Sequence, residues 1–418
     1  MKTLFFGGPI LTLEHPRYTE ALLVEDGRIA AVGTLDSLQS QSHGAREFDL
    51  KGRALLPAFL DPHSHLSGTA NGRLQCDLSE ADSFAALTDR LIRFAQDHPL
   101  GQGQWLIGQG YDHNQLAEGC HPTRAVLDRA IPDHPVVIQH KSSHMGVFNS
   151  AALQQLGIGP DTPDPEGGRI ERQDGAPTGY LEEAAFTLYL QRVPMPGQND
   201  LLDAYQQAQQ DYAAHGIATV QDGMMVGQLA PFYRALVDQG RLELDVVGYP
   251  GRNEWESLAA AFPSAVKRYD GSFKLGGIKL FLDGSPQGRT AWMRTPYQGE
   301  DSGYAGYGTM TDQALREALE FAWAHRLQPL AHCNGDAAAA QYLAALDAAE
   351  RAHPGFRALR PVMIHAQLLD LDQMPAVRGL GVIPSFFPGH VYHWGDVHLE
   401  NLGADRARAI SPMRSALE

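Results

Sequence analysis

A chain of 418 residues, 43% hydrophobic and 20% charged, can bury a sizeable core, and a single α/β barrel can fill that length. Its formal net charge of −16, from 33 basic and 49 acidic residues, argues against the basic face that a nucleic-acid surface needs. Three cysteines (Cys76, Cys120 and Cys333) in no CxxC pair suggest a reducing compartment rather than a disulfide framework, and no stretch of about 20 apolar residues could span a membrane.

The opening "MKTLFFGGPILTLEHP" lacks a long apolar h-region, so a cytoplasmic protein without a signal peptide is expected. "ALLVEDGRIAAVG" is two short apolar runs around Asp26-Gly27, a hairpin signal, and residues 1–57 read as small β structure. The next apolar strand, Ala54–Leu60, ends at the pair His63 and His65 in "LLPAFLDPHSHL". Residues 67–215 read as irregular and rich in Gly, Pro and polar residues. Within them, Phe84, Leu87, Leu91 and Phe94 have helical spacing over Ser83–Asp97, and Pro135–Gln139 reads as a strand. A second helix is expected over Asn199–His215, with Asn199 as N-cap and Gly216 as the stop.

From Gly216 the pattern becomes regular. Strand-like runs are Ile217–Gln221, Leu242–Gly248, Gly277–Leu282, Gln328–His332, Pro361–His365 and Gly381–Phe386. Helix-like segments lie between them, near 228–240, 253–269, 311–326 (capped by Thr311), 336–352 and 372–379. Strands alternating with helices imply parallel βα units. With Ala54–Leu60 there are seven strands, one short of a closed (β/α)8 barrel. Two architectures fit: an open doubly wound sheet, or a barrel whose last strand lies beyond residue 418. The chemistry at the strand ends favours the barrel.

In such a barrel the functional residues lie at the C-terminal ends of the strands. His63 and His65 follow the first strand and Asp222 the second. Lys279 lies in the fourth, in "GGIKLFLDGS". His332 ends the fifth, in "PLAHCNGDAA", and His365 the sixth, in "PVMIHAQ". Neutral imidazole nitrogens suit zinc and related ions. On an extended chain His63 and His65 project to one side, so one ion can take both. A lysine cannot bind metal as an ammonium. As a carbamate it offers two oxygens that can bridge two ions, and forming the carbamate needs a desolvated amine that loses its proton easily. Only six lysines occur in the chain, so one in a mostly apolar stretch is informative. Cys333, next to His332, should point to the opposite face, and Asp336 reads as the N-cap of the following helix.

"LLVEDGRIAAVG", "LLPAFLDPHSHL", "HMGVFNSAAL", "TPDPEGGRIERQDGAPTGYLEE", "IKLFLDGS", "AHCNGDAA", "IHAQ", "SFFPGHVYHWGD" and "LGADRARAISPMRSALE" stand in one order. Together they resemble the amidohydrolase superfamily, and within it the YtcJ-like branch that includes N-substituted formamide deformylases. The resemblance implies a metal-dependent hydrolase (β/α)8 (TIM-like) barrel over 58–418, lacking its eighth strand. It also implies a small N-terminal β-sandwich portion over 1–57 and an insertion at about 67–215. One or two divalent ions, zinc first among them, would be held by His63 and His65, by a carboxylated Lys279 that bridges, and by His332 and His365. A metal-bound hydroxide would attack the carbon of an amide, N-formyl or similar group, hydrolysing a non-peptide carbon–nitrogen bond. The candidate substrate contacts are His144, His390, His393, Arg289 and Asp283.

The sequence departs from the branch in three places. Ala58 stands where glycine is usual, and Met363-Ile364-His365 where Ile-Glu-His is often found. The aspartate expected to act as base after strand eight would lie beyond residue 418, which leaves the catalytic base unassigned and implies a C-terminal truncation; Asp222 or Asp283 acting instead is the alternative. Two rival functions remain at this point. One is a mononuclear deaminase of a cyclic amidine, which would carry a glutamate where Gly335 stands. The other is a catalytically incomplete metal-binding fragment. The expected partner is a small-molecule substrate, with no nucleic acid and no membrane; a homodimer is compatible.

Overall fold

The computed structural model describes the chain apart from residues 142–144, 166–167, 195 and 300–302. It divides into two compact units, residues 1–61 with 212–219, and residues 62–211 with 220–418.

The first unit holds a four-stranded sheet in the order Arg28–Gly33, Ala21–Glu25, Lys2–Phe6, Arg46–Asp49. The expected hairpin forms: Asp26 and Gly27 both take positive φ (50° and 78°), the geometry that a tight two-residue turn demands. Leu4 pairs with Leu23 across the sheet, and both are buried with Ala21 and Leu38. The predicted strand Ala54–Leu60 shrinks to Phe59–Leu60, here β1. Pro57 has no N–H to give a ladder, and Leu55 pairs instead with Ile10.

The parallel strands continue with β2 (Ile217–Met225), β3 (Asp245–Pro250), β4 (Phe273–Phe281, broken at Gly276), β5 (Gln328–Cys333), β6 (Val362–His365) and β7 (Ile383–Phe386). They form two four-stranded sheets, one from β1, β2, β3 and the first half of β4, the other from the second half of β4 through β7. A bridge between Gly251 and Lys279 links the two at the end of β3. Every pairing in the second sheet is parallel, and its register sets Phe281 beside His332, Cys333 beside His365, and His365 beside Phe386. Interior residues such as Ile278, Leu280, Leu330, Ala331, Met363 and Ile364 are buried on both faces, as parallel strands covered by helices should be.

The helices follow from their caps. Ser83 and Thr311 each accept an N–H with their side chains at the start of Phe84–Asp97 and Asp312–His325. Two predicted caps are wrong. Asn199 lies inside the helix Gln198–Ala214. Gly335 caps Asp336–Ala352, because the Asp336 carboxylate turns away to accept the Arg294 N–H at 2.8 Å.

The larger correction concerns residues 67–215. Instead of an irregular segment, they hold a six-stranded sheet in the order 168–173, 176–183, 145–148, 136–140, 106–111, 76–77. One face packs on Leu87, Leu91 and Leu127, the other on Phe148, Leu153 and Phe186. No helix among the described residues is long and apolar enough to cross a membrane.

Candidate metal centre

His63 and His65 lie past the end of β1, and their rings meet edge-on at 5.1 Å. His65 stands at the start of the helix Leu66–Gly72 and pairs with Asp222 at the end of β2. Its Nδ1 lies 2.7 Å from the Gly223 carbonyl oxygen. A carbonyl can only accept, so Nδ1 carries the proton and Nε2 keeps its lone pair. Asp222 is fully buried and accepts from the Ser67 N–H (3.1 Å), the Ser67 hydroxyl (2.8 Å) and the Tyr205 hydroxyl (2.5 Å). Burial pushes its carboxyl above the usual range against those three donors. Asp222 thus ties the helix after His65 to β2.

His63 also meets His365 edge-on at 5.2 Å, and His365 meets His332 at 4.6 Å. His65, His63, His365 and His332 therefore form a row of four rings. His332 Nε2 lies 3.2 Å from the Gly284 carbonyl and 3.0 Å from the Asn334 side-chain amide nitrogen, so Gly284 and Asn334 together hold the ring. His365 sits at φ +72°, followed by Ala366 at +46°, and its buried Nδ1 has no hydrogen-bond partner. A non-glycine residue in that region is strained, and such strain persists where the surroundings enforce a particular side-chain direction.

Lys279 closes the group. It is 2% exposed, and its Nζ makes no hydrogen bond. Burial lowers its pKa to about 7, so much of it is neutral near neutrality. Its charge would in turn reach three of the imidazoles. Burial first, then Lys279, holds His63 down at about 3. His332 is held at about 4, chiefly by burial, and His365 is pushed down further by burial and by its histidine neighbours. All three are neutral at pH 7, the state a metal ligand requires. Buried lone-pair donors, two of them without partners, form the nitrogen-rich set that fits a divalent transition ion.

The remaining candidates divide. His390 is buried with its ring 5.8 Å from His365, between Phe387, Trp394 and a parallel His398. His393 is exposed and packs on Tyr392 and Trp394. Arg289 donates to the Gln298 carbonyl at 2.6 Å and lies over the Tyr297 ring. The Asp283 carboxylate accepts the N–H groups of Asn334 (2.9 Å), Gly335 (2.7 Å) and Trp292 (3.1 Å). With both oxygens committed and the side chain fully buried, it fixes the turn after His332. His144 lies outside the described residues.

That turn is tightly packed. A Cβ on Gly335 would stand 1.9 Å from the Trp292 carbonyl oxygen. Gly335→Ala is therefore expected to lower stability by about 3 kcal/mol, read from the urea midpoint; an unchanged midpoint would show that the turn can move.

One group of ligand-type residues was not foreseen. Asp112, His113 and His140 bring three donor atoms within 4.8 Å of one another. They stand 27 residues apart in a segment whose strands are hard to read, and the one available signal was a histidine closing the predicted strand 135–139.

The amidohydrolase family pattern matches residues 46–418. The chain belongs to the amidohydrolase family. The Bacillus subtilis protein YtcJ is 31% identical over 98% of this chain and 77% of its own length. The N-substituted formamide deformylase of Arthrobacter pascens is 28% identical, over 96% of this chain and 75% of its own. An uncharacterized metal-dependent hydrolase of Pyrococcus horikoshii superposes with a TM-score of 0.81 at 25% identity, over 100% of this chain and 80% of its own. The α/β fold is that of the family's metal-dependent hydrolases.

Proposed function

We propose that the chain hydrolyses a non-peptide carbon–nitrogen bond, in an amide, N-formyl or similar small molecule, with one or two zinc-type ions held by His63, His65, Lys279, His332 and His365. The observation that carries this reading is Lys279, a buried amine without a hydrogen-bond partner beside three neutral imidazoles. The deformylase among the relatives supports the N-formyl class.

When bound, the metal supplies a Lewis acid for the carbonyl and acidifies a water molecule. The side chains do the rest. Neutral Lys279 Nζ adds to carbon dioxide, forming an N–C bond and releasing one proton, and so becomes a two-oxygen donor. Gly223 holds the tautomer of His65, which presents a fixed lone pair, and Gly284 and Asn334 orient the His332 ring. His390 and Phe387 wall the group beside His365. Asp222 and Asp283 are committed to other hydrogen bonds, and neither is proposed as the proton carrier. The seven parallel strands are read as those of a (β/α)8 barrel, and the first unit as part of a small β-sandwich; the meeting of His63 after β1 with His365 on β6 supports the barrel.

Nothing favours the deaminase reading. It needs a glutamate at position 335, where the backbone is pressed against Trp292. Chelation tests the proposal. Stripped protein is expected to lose hydrolysis of N-formyl and N-acyl amines and to regain it with zinc, fully only when bicarbonate is present. A stripped protein that retained its rate would overturn it.

A further inference from the structure

The second histidine group stands at the C-terminal ends of two inner strands of the six-stranded sheet. Strands 106–111 and 136–140 are parallel neighbours, so their C-terminal ends lie side by side. The first runs directly into Asp112 and His113 and the second closes with His140. A β-bulge between Gln139 and His140 shifts the register there. Gln139 faces Gln109 but His140 faces Tyr111, so Gly110 (φ +89°) is the extra residue, and the slip sets His140 beside Tyr111, next to the Asp112-His113 corner.

The donor atoms form a tight triangle. His113 Nδ1 and His140 Nε2 are 3.2 Å apart, His140 Nε2 and Asp112 Oδ1 3.5 Å, and His113 Nδ1 and Asp112 Oδ1 3.8 Å. Ligands of a tetrahedral zinc site, each about 2.0–2.1 Å from the ion, stand about 3.3 Å from one another. The triangle is thus already close to one face of such a tetrahedron. The surroundings hold its corners. Asn114 donates to Asp112 Oδ1 through its N–H (3.0 Å) and its amide (3.1 Å), and Lys141 donates to Oδ2 at 2.7 Å. Burial raises the Asp112 pKa, but Lys141 and Asn114 outweigh it and keep the group ionised, at about 2. Burial keeps His140 neutral although Asp112 opposes it. His113 is stacked on His121 at 4.0 Å, and His121 on Tyr180 at 4.4 Å, which fixes the ring planes. Asp112 and His140 are buried and His113 is partly exposed, so the triangle has one side open to solvent.

We propose that Asp112, His113 and His140 form a second transition-metal site, built from different ligands than the strand-end centre. It takes a divalent ion of the zinc class through Asp112 Oδ1, His113 Nδ1 and His140 Nε2, and keeps a fourth position open. Three protein ligands with one exchangeable position is the pattern of zinc sites that bind water or a small ligand. Two histidines with one carboxylate also suit other first-row ions, of which cobalt is a convenient probe.

The test uses the full chain, stripped of metal and titrated with cobalt(II), following visible absorption and ions bound per chain. His113→Ala is expected to remove one ion per chain, or weaken it at least about 100-fold, with the thermal midpoint of the metal-free protein unchanged. A variant with the same ion count and the same affinities would overturn the proposal. Lys141→Met gives an independent reading. Without the competing ammonium, the same ion should bind at least about three-fold tighter; equal or weaker binding would show that Asp112 serves only that ion pair.

Discussion

Lys279→Met is expected to unfold at the same or a higher denaturant concentration than the metal-free parent, while hydrolysis falls at least about 10³-fold. The two effects share one cause. Burying an amine without a hydrogen bond costs folding free energy, and an apolar side chain of similar length removes that cost. In the proposed centre the same amine, as a carbamate, would join the ions held by His63, His65, His332 and His365, so its loss would disrupt that centre. A structural lysine would behave in the opposite way, with lower stability and a largely retained rate. The stability comparison must be made on stripped protein, because bound metal stabilises the folded state by mass action.

The second large effect is expected at Asp283. Asp283→Ala leaves the N–H groups of Trp292, Asn334 and Gly335 buried without an acceptor. Each unpaired group costs about 1–3 kcal/mol, so a total loss of about 3–9 kcal/mol is expected. That is a large part of the stability of a typical domain. Asp283→Asn keeps one carbonyl oxygen and should fall between the two. Guanidinium unfolding measures both. A loss below about 1 kcal/mol for the alanine variant would remove Asp283 from its place behind His332.

These residues also show what could be read before the structure. His63, His65, Lys279, His332 and His365 were legible because each stands at or near the end of an apolar run, and the parallel register then sets strand ends side by side. The tautomer of His65 was not legible, since the Gly223 carbonyl that fixes it comes from another strand. The three N–H groups that Asp283 accepts were not legible, because an aspartate after a strand looks alike whether it faces a pocket or the backbone. The six-stranded sheet escaped for a different reason. "LIGQGY" interrupts its apolar residues with two glycines, and "GRIERQ" is mostly polar. Gly108 is there for contact: a Cβ would stand 2.7 Å from Leu78 and 3.0 Å from Ile138. Periodicity cannot report a strand whose alternation has been given up to close packing. With that sheet unread, nothing could bring Asp112 and His113 to His140.

Lys279 and the strand-end histidines are proposed to form one metal centre. Metal content per chain tests it most directly, measured on the parent and on Lys279→Met after identical reconstitution with zinc and bicarbonate. The variant is expected to lose at least one ion per chain and His113→Ala, measured alongside, a different one, so that the double variant loses both. A Lys279→Met protein that is folded and carries the parent's full complement of metal would contradict it.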